Sequence, residues 1–311
     1  MSAQTAPTAQ TANTRYAKLR ARRAPRRRNA KSTPLTVAML LMLVYSLLPL
    51  FWLLMSSTKD QPSLFSSFGL WFGHGFHLFQ NIHTVLTFDG GIYLRWFGNT
   101  LLYAVVGAGG AAIISTAGGY ALAKYRFRGR NVLSALVIGA IAVPTTALAV
   151  PTYLLFSELH IVNTPWAVLV PALASPLGLY LMRVYSLEAV PDSMLEAARI
   201  DGAGELRTFL TVSLRLLAPG FVTVLLFTLV TTWNNYFLPL IVLNNPRWFP
   251  LTVGLSQWNS VATGASAGGT TVSYYPMVVT GSLLAIIPLI VAFLVLQRYW
   301  QSGLAAGSVK Q

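Results

Sequence analysis

Cysteine is absent from all 311 residues. The chain therefore has no disulfide framework, no thiolate nucleophile and no cysteine-ligated metal. Charge is scarce too. Only 10% of residues are charged, against about a quarter in ordinary soluble domains. Acids are scarcer still, eight in all. The phosphate-cradling loop G-x-x-x-x-G-K-[ST] is missing, as is the H-E-x-x-H zinc pair. The chain thus lacks a recognisable means of hydrolysing ATP, and neither a metal nor a cofactor is expected.

What fills the sequence is apolar, at 54% of residues. Six apolar segments stand out, at roughly 35–56, 98–122, 132–156, 164–184, 219–243 and 275–297. Each is about 20 residues or longer, enough to cross a bilayer as a helix. The expected fold is an all-α integral membrane protein with six transmembrane helices. Prolines within them (Pro49, Pro144, Pro151, Pro171, Pro176, Pro239 and Pro288) are compatible with kinked spans whose neighbours cover the freed carbonyls. The first apolar run is too long for a signal peptide and lacks a small-residue cleavage site, so it is read as a retained anchor. No Asp, Glu, Lys, Arg or His lies well inside any segment, which leaves no proton relay of the kind ion-coupled carriers use. A sodium site made of backbone carbonyls stays open.

The basic residues set the orientation. Nineteen of the 22 Lys and Arg fall before residue 35, at 124–130, at 183–215 or at the C-terminal end. The intervening loops hold only Lys59, Arg95 and Arg247. The positive-inside rule places both termini and the loop 185–218 in the cytoplasm. The expected organisation is a disordered basic tail over 1–34, a permease domain over 35–298 and a C-terminal tail over 299–311. The run Arg22-Arg23-Ala24-Pro25-Arg26-Arg27-Arg28 acts as a topology signal or rests on anionic lipid. Binding to nucleic acid is not expected despite the net charge of +14.

Four of the eight acids, Asp192, Glu196, Asp201 and Glu205, crowd into one stretch of that loop. Ser193-Met194-Leu195-Glu196 reads as a capping box opening a short helix. Leu195, Ala197 and Ala198 offer one small apolar side. Gly202 suits the left-handed turn that stops the helix. A second helix is expected from about Glu205 to Leu217, ending near Pro219-Gly220. With no nucleophile and base together, this is a docking knob or a solvated loop rather than an active site.

The stretch Val190-Pro191-Asp192-Ser193-Met194-Leu195-Glu196-Ala197-Ala198-Arg199-Ile200-Asp201-Gly202-Ala203 resembles the EAA motif of ABC-importer permeases, in their carbohydrate-uptake, maltose-type branch. Other blocks agree: Gly119 to Arg130, Trp233-Asn234-Asn235-Tyr236 with Pro239-Leu240, and Gln297-Arg298-Tyr299 with Gly307-Ser308-Val309-Lys310. The chain departs from the family's I-x-L-P continuation, with Val212-Ser213-Leu214-Arg215 in its place. The resemblance implies a permease half of a sugar importer in a prokaryotic cell membrane. It implies a second and different permease chain, two ATPase subunits and an extracytoplasmic solute-binding protein as partners, beside membrane lipid. It makes this loop the coupling helix. Glu196 would pair with a basic group of the ATPase, Ala197 and Ala198 would permit close approach, Asp201 would add charge, and Gly202 would make the turn.

A sugar path needs hydrogen-bonding groups and aromatic faces. Asn234 and Asn235 read as path-lining. Trp233 and Tyr236 fit interhelical hydrogen bonding and the interfacial aromatic belt better, and Asn99 fits a cap or packing role. Glycines 107, 109, 110, 118 and 119 suit close helix packing. The aromatics Phe65, Phe68, Trp71, Phe72, Phe76 and Phe79 make the loop 58–97 an interfacial segment or a dock for a receptor. The Gly-, Ser- and Thr-rich loop 244–274 is a second candidate dock. Alternatives to a sugar importer are an ABC permease for a polyol or glycerol phosphate, or an ion-driven carrier.

Overall fold

The structure is a computed structural model that describes residues 33–264 and 273–307. The basic tail expected over 1–34 and the tip of the loop 244–274 fall largely outside the described residues. The chain divides after Leu50. Before that point the described residues form the start of one apolar helix, α1 (Thr33–Ser57).

The second unit begins with the end of α1 and a short helix α2 (Gln61–Ser66), capped by the Asp60 carboxylate on Ser63 N–H. Then α3 (Leu78–Leu102) passes through a π-helical turn at Tyr103–Gly107 into α4 (Ala108–Lys124). This helix starts twenty residues before the expected 98. Its first part is interrupted at Phe88–Gly91, where Asp89, Gly90 and Gly91 have left-handed φ of 49°, 64° and 80°. Only from Ile92 onward is it continuous.

The third expected segment, 132–156, is not one helix. It is split into α5 (Arg130–Ala142) and α6 (Ala149–Glu158), of 13 and 10 residues. The break falls where a residue precedes proline. Val143 has ψ of 122°, the extended conformation that the ring of Pro144 imposes on its predecessor. Among the described residues five helical stretches are long and apolar enough to cross a membrane: Thr33–Ser57, Leu78–Lys124, Trp166–Ala189, Glu205–Trp233 and Tyr274–Gln297.

Helices α7 (Trp166–Ala172) and α8 (Pro176–Ala189) follow. Small residues let α4 lie directly on them. A β-carbon at Gly107 would meet Ala172, one at Gly118 would meet Leu179, and one at Gly119 would sit 2.7 Å from the Arg183 backbone nitrogen. The partner numbers rise together, so α4 runs parallel to α7–α8. Residues 125–165 must therefore travel back in the opposite direction, and α5 does so packed on α8.

After α9 (Asp192–Ile200), α10 (Glu205–Thr208) passes through a π-helical turn at Phe209–Ser213 into α11 (Leu214–Trp233). The expected stop near Pro219 does not occur; that proline lies inside α11. The fifth expected segment instead breaks at Asn234–Tyr236. Asn234 Nδ2 donates to the Val230 carbonyl at 2.9 Å, a side-chain bond that competes with the helical ladder. The Asn235 carbonyl accepts from Thr252 Oγ1 at 2.7 Å. Next come α12 (Phe237–Val242), α13 (Leu251–Thr263) and α14 (Tyr274–Gly307).

Two apolar clusters mark the ends of the bundle. One gathers Tyr93, Trp96, Tyr103, Trp233, Trp258 and Met277; the other gathers Tyr120, Met182, Val190, Leu195, Leu217 and Val224. Trp96 and Tyr120 are 24 residues apart on the continuous helix, or roughly 36 Å at ~1.5 Å per residue. That is close to the ~30 Å of a hydrocarbon core.

Candidate functional site

At the Tyr120 end, the polar stretch between α8 and α10 forms a helical hairpin. The expected capping box is not made. Helix α9 starts at Asp192 after an extended Pro191, with no side-chain cap. Asp192 lies in the first turn, where a carboxylate favours the helix dipole, and its side chain points elsewhere. The other end of α9 closes as a Schellman motif. Gly202 has φ of 77° and its N–H reaches the Arg199 carbonyl at 3.0 Å; the Ala203 N–H reaches the Ala198 carbonyl at 2.9 Å.

The faces of α9 are also divided differently from the expectation of one apolar side. Leu195 points inward, 5% exposed, into the cluster with Val190, Tyr120 and Leu217. Ala197 is exposed and Ala198 is half-buried. Glu196 and Asp201 are exposed, and among the described residues their carboxylates make no hydrogen bond or ion pair. Beside them stand two large apolar side chains that sequence reasoning passed over, Ile200 at 86% and Leu206 at 72% exposed. Their amphipathic surroundings give no period to reveal them. They are legible only as apolar residues on an otherwise polar surface.

The remaining two acids, also exposed, are paired with side chains of the same chain. Lys124 Nζ, with a side chain 5% exposed, contacts Asp192 Oδ1 at 2.8 Å. Its hydrogen bond and charge hold the Asp192 carboxyl below the ordinary 3.8. A carboxyl depressed in this way contributes its full stabilisation above 3.8 and loses it as the pH falls through the lower folded value. Glu205 accepts from Arg199 Nε at 2.8 Å and from the Tyr125 hydroxyl at 3.0 Å. Burial first, and the Glu205 carboxylate second, push the Tyr125 phenol upward. Tyr120 lies between, with its ring against Tyr125 and Phe209 and its hydroxyl 3.2 Å from Ser213 Oγ.

At the Trp96 end, the candidate path residues separate. Trp233 is 7% exposed, donates to the Ala285 carbonyl at 3.2 Å and meets Phe97 edge-on. Asn99 donates its amide to the carbonyls of Arg247 and Phe249 at 2.8 and 3.0 Å. It belongs to a row on one helix face. Trp96 Nε1 donates to the Pro246 carbonyl, Tyr103 hydroxyl to the Trp248 carbonyl, and Thr100 Oγ1 accepts from the Leu251 N–H. Together these side chains satisfy backbone groups around a single 3-10 turn, Pro246–Trp248, that leads into the next helix. Asn234 and Tyr236 remain exposed at the helix break, and the Tyr236 hydroxyl lies 3.0 Å from Ser256 Oγ on α13. Ser256 lies on α13, within the stretch 244–274 whose Gly-, Ser- and Thr-rich composition reads as loop.

Residues 114–305 match the family described as binding-protein-dependent transport system inner membrane component. The arabinooligosaccharides transport system permease protein AraQ of Bacillus subtilis is 34% identical over 273 residues, spanning 88% of this chain and 93% of that protein. The maltodextrin transport system permease protein MdxG of the same organism is 30% identical over 230 residues, 73% and 80% of the respective chains. Among solved structures, a bacterial ABC transporter involved in import of the acidic polysaccharide alginate has a chain superposing with a TM-score of 0.73 at 22% identity. The match covers 95% of this chain and all of that one, and it shows a shared fold.

Proposed function

The chain belongs to the family of binding-protein-dependent transport system inner membrane components, and on that premise we propose that it is the permease subunit of an ABC importer for sugars or oligosaccharides, driven through its 191–204 hairpin. It is a transport subunit rather than an enzyme, and ATP hydrolysis belongs to a partner chain. The sugar class follows the relatives named for arabinooligosaccharide and maltodextrin transport. An ion-driven carrier finds no support among these relatives.

The observation that carries the coupling role is the way the hairpin is built. Leu195 seats it, a Schellman turn at Gly202 closes it, and Glu196, Asp201, Ala197 and Ile200 are left facing outward. Unspent carboxylates beside an exposed isoleucine fit a basic, partly apolar cleft on an ATPase subunit. The small Ala197 and Ala198 permit close approach. We place the hairpin and both termini in the cytoplasm on the distribution of Lys and Arg. The α5–α6 pair then makes the third of six crossings, since the parallel packing of α4 on α7–α8 requires a return. A second permease chain, two ATPases and an extracytoplasmic binding protein complete the importer. Asn234 and Tyr236, with Ser256, line the sugar path, while Trp233 and Asn99 brace its wall.

The test uses membranes containing the assembled importer. Glu196→Lys and Gly202→Asp should each insert normally, yet copurify with at least ~10-fold less ATPase, because like-charge contacts and a lost turn oppose docking. Labelled oligosaccharide uptake should fall to background. Uptake at the wild-type level in both variants removes the coupling role.

A further inference from the structure

The hairpin's two internal ties end on neighbouring residues of one helix end. Asp192, the first residue of α9, is held by Lys124, and Glu205, the first residue of α10, by Tyr125. The hairpin is joined by covalent chain to α8 and, through α10, to α11. It has no covalent join to α4; these two polar links and the apolar cluster that Leu195 shares with Tyr120 connect them. Apolar contacts are non-directional and let a seated element slide. An ion pair at Asp192 and a hydrogen bond at Glu205, the residue that follows the hairpin, bracket it and fix its position on the end of α4.

We propose that Lys124 and Tyr125 are positioning residues for coupling, forming a two-point strap that carries α4 along whenever the 191–204 hairpin is displaced. The proposal rests on the hairpin being the ATPase dock. Its reach comes from α4 itself. From Ile92 to Lys124 the helix is continuous, and at its far end Trp96, Asn99, Thr100 and Tyr103 hold the backbone of residues 246–251 through five hydrogen bonds. A push on the strap is therefore delivered to a segment beside the break at Asn234–Tyr236, where the sugar path is proposed. Lys124 also fits a strap better than a simple topology charge. A lysine retained only for orientation would keep its ammonium in water, whereas this side chain is 5% exposed and is committed to one carboxylate.

The experiment uses the complete importer in proteoliposomes. The double variant Lys124→Met/Tyr125→Phe should copurify with the ATPase as wild type does and still hydrolyse ATP, while sugar uptake per ATP falls about tenfold, within the range of measured coupling. The exchanged pair Lys124→Asp/Asp192→Lys, placed on the Tyr125→Phe background so that it supplies the one remaining tie, should recover at least half of the wild-type ratio. Because this chain has no cysteine, Arg247→Cys can report on the far segment. Its labelling by an impermeant maleimide should change with ATP when the strap is intact and stay constant in the double variant. Uptake per ATP within twofold of wild type in the double variant overturns the strap. So does a deficit that the exchanged pair leaves unrepaired, or an ATP-dependent labelling change that survives the double substitution. Loss of ATPase copurification in the double variant also overturns it, since the links would then only shape the dock. If Glu196→Lys keeps full ATPase copurification while the double variant uncouples, the role of Glu196 in the dock fails and the strap stands.

Discussion

Gly118 and Gly119 are adjacent on α4, yet replacing each with alanine should have opposite consequences. At Gly119 the new β-carbon would lie 2.6 Å from Met182 Cβ, 2.7 Å from Arg183 N and 2.8 Å from Met182 C, where ordinary contact begins at 3.4 Å. Two of those three atoms are backbone, so no rotamer change relieves them, and α4 and α8 must separate by most of an ångström. Overpacking of this kind costs about 1–3 kcal/mol, and a rigid partner puts Gly119→Ala at the upper end. At Gly118 the nearest atom is Leu179 Cδ1 at 3.2 Å, the far end of a flexible side chain. Gly118→Ala should therefore cost nothing, and the helix propensity of alanine offers up to ~1 kcal/mol in its favour. The two variants should differ by roughly 3 kcal/mol, about two decades in the folded-to-unfolded ratio. Unfolding in mixed micelles followed by the fluorescence of the eight tryptophans measures this directly. Equal midpoints, or a Gly118→Ala protein less stable than Gly119→Ala, would refute the claim that α4 and α8 meet backbone to backbone.

Other substitutions probe the hairpin and the far segment. Gly202 has φ of 77° with no heavy atom within 4 Å of an added β-carbon, so Gly202→Ala should cost only the left-handed backbone penalty of about 1–2 kcal/mol. Gly202→Asn should cost less, and limited proteolysis of the hairpin should rank the two in that order. Asn99→Leu removes the donors to the Arg247 and Phe249 carbonyls. It should destabilise by about 1–3 kcal/mol and speed amide exchange over 246–251, with exchange at 192–205 unchanged. Exchange rising equally at both ends would show that Asn99 supports the whole bundle instead.

How far these features could be read in advance depends on the range of the forces behind them. Runs of apolar residues report burial in lipid, so the first, second, fifth and sixth segments each contain a long helix, while the fourth holds α7 and α8 on either side of a break at Leu173–Ser175. The same signal is blind to backbone breaks. The third segment splits at Val143-Pro144 and the fifth at Asn234, because a proline ring and a competing amide act on one or two residues inside an unbroken hydropathy peak. The stretch 78–97 was expected as loop because its helix carries Asp89, Gly90 and Arg95 and supplies no 20-residue apolar window. Gly202 was legible because a left-handed turn has a local residue requirement. The capping box was misleading for the reverse reason: Ser193 and Glu196 have the right spacing, but the N-cap position falls two residues earlier, at Pro191, and Asp192 in the first turn is paired with Lys124. Lys124 and Asp192 are 68 residues apart, and no local pattern announces such a pair.

The crowding of acids between 192 and 205 has a physical account once the partners are assigned. Two of the four, Asp192 and Glu205, are consumed within the protein and form its only salt bridges among the described residues. The other two, Glu196 and Asp201, lie between them in sequence and stay exposed. Inward ties therefore flank outward charges. A dock that transmits force must resist sliding against its own bundle at least as firmly as it grips its partner. Isolated exposed ion pairs are worth only about 0–1 kcal/mol, too little singly to hold a lever. Two ties at opposite ends of the hairpin resist rotation as well as translation, which neither achieves alone. Loss of a single tie should accordingly reduce uptake per ATP far less than loss of both. Single variants of Lys124 and Tyr125, compared with the double variant, test that non-additivity; if the single effects simply sum to the double effect, the ties act independently and the lever argument fails.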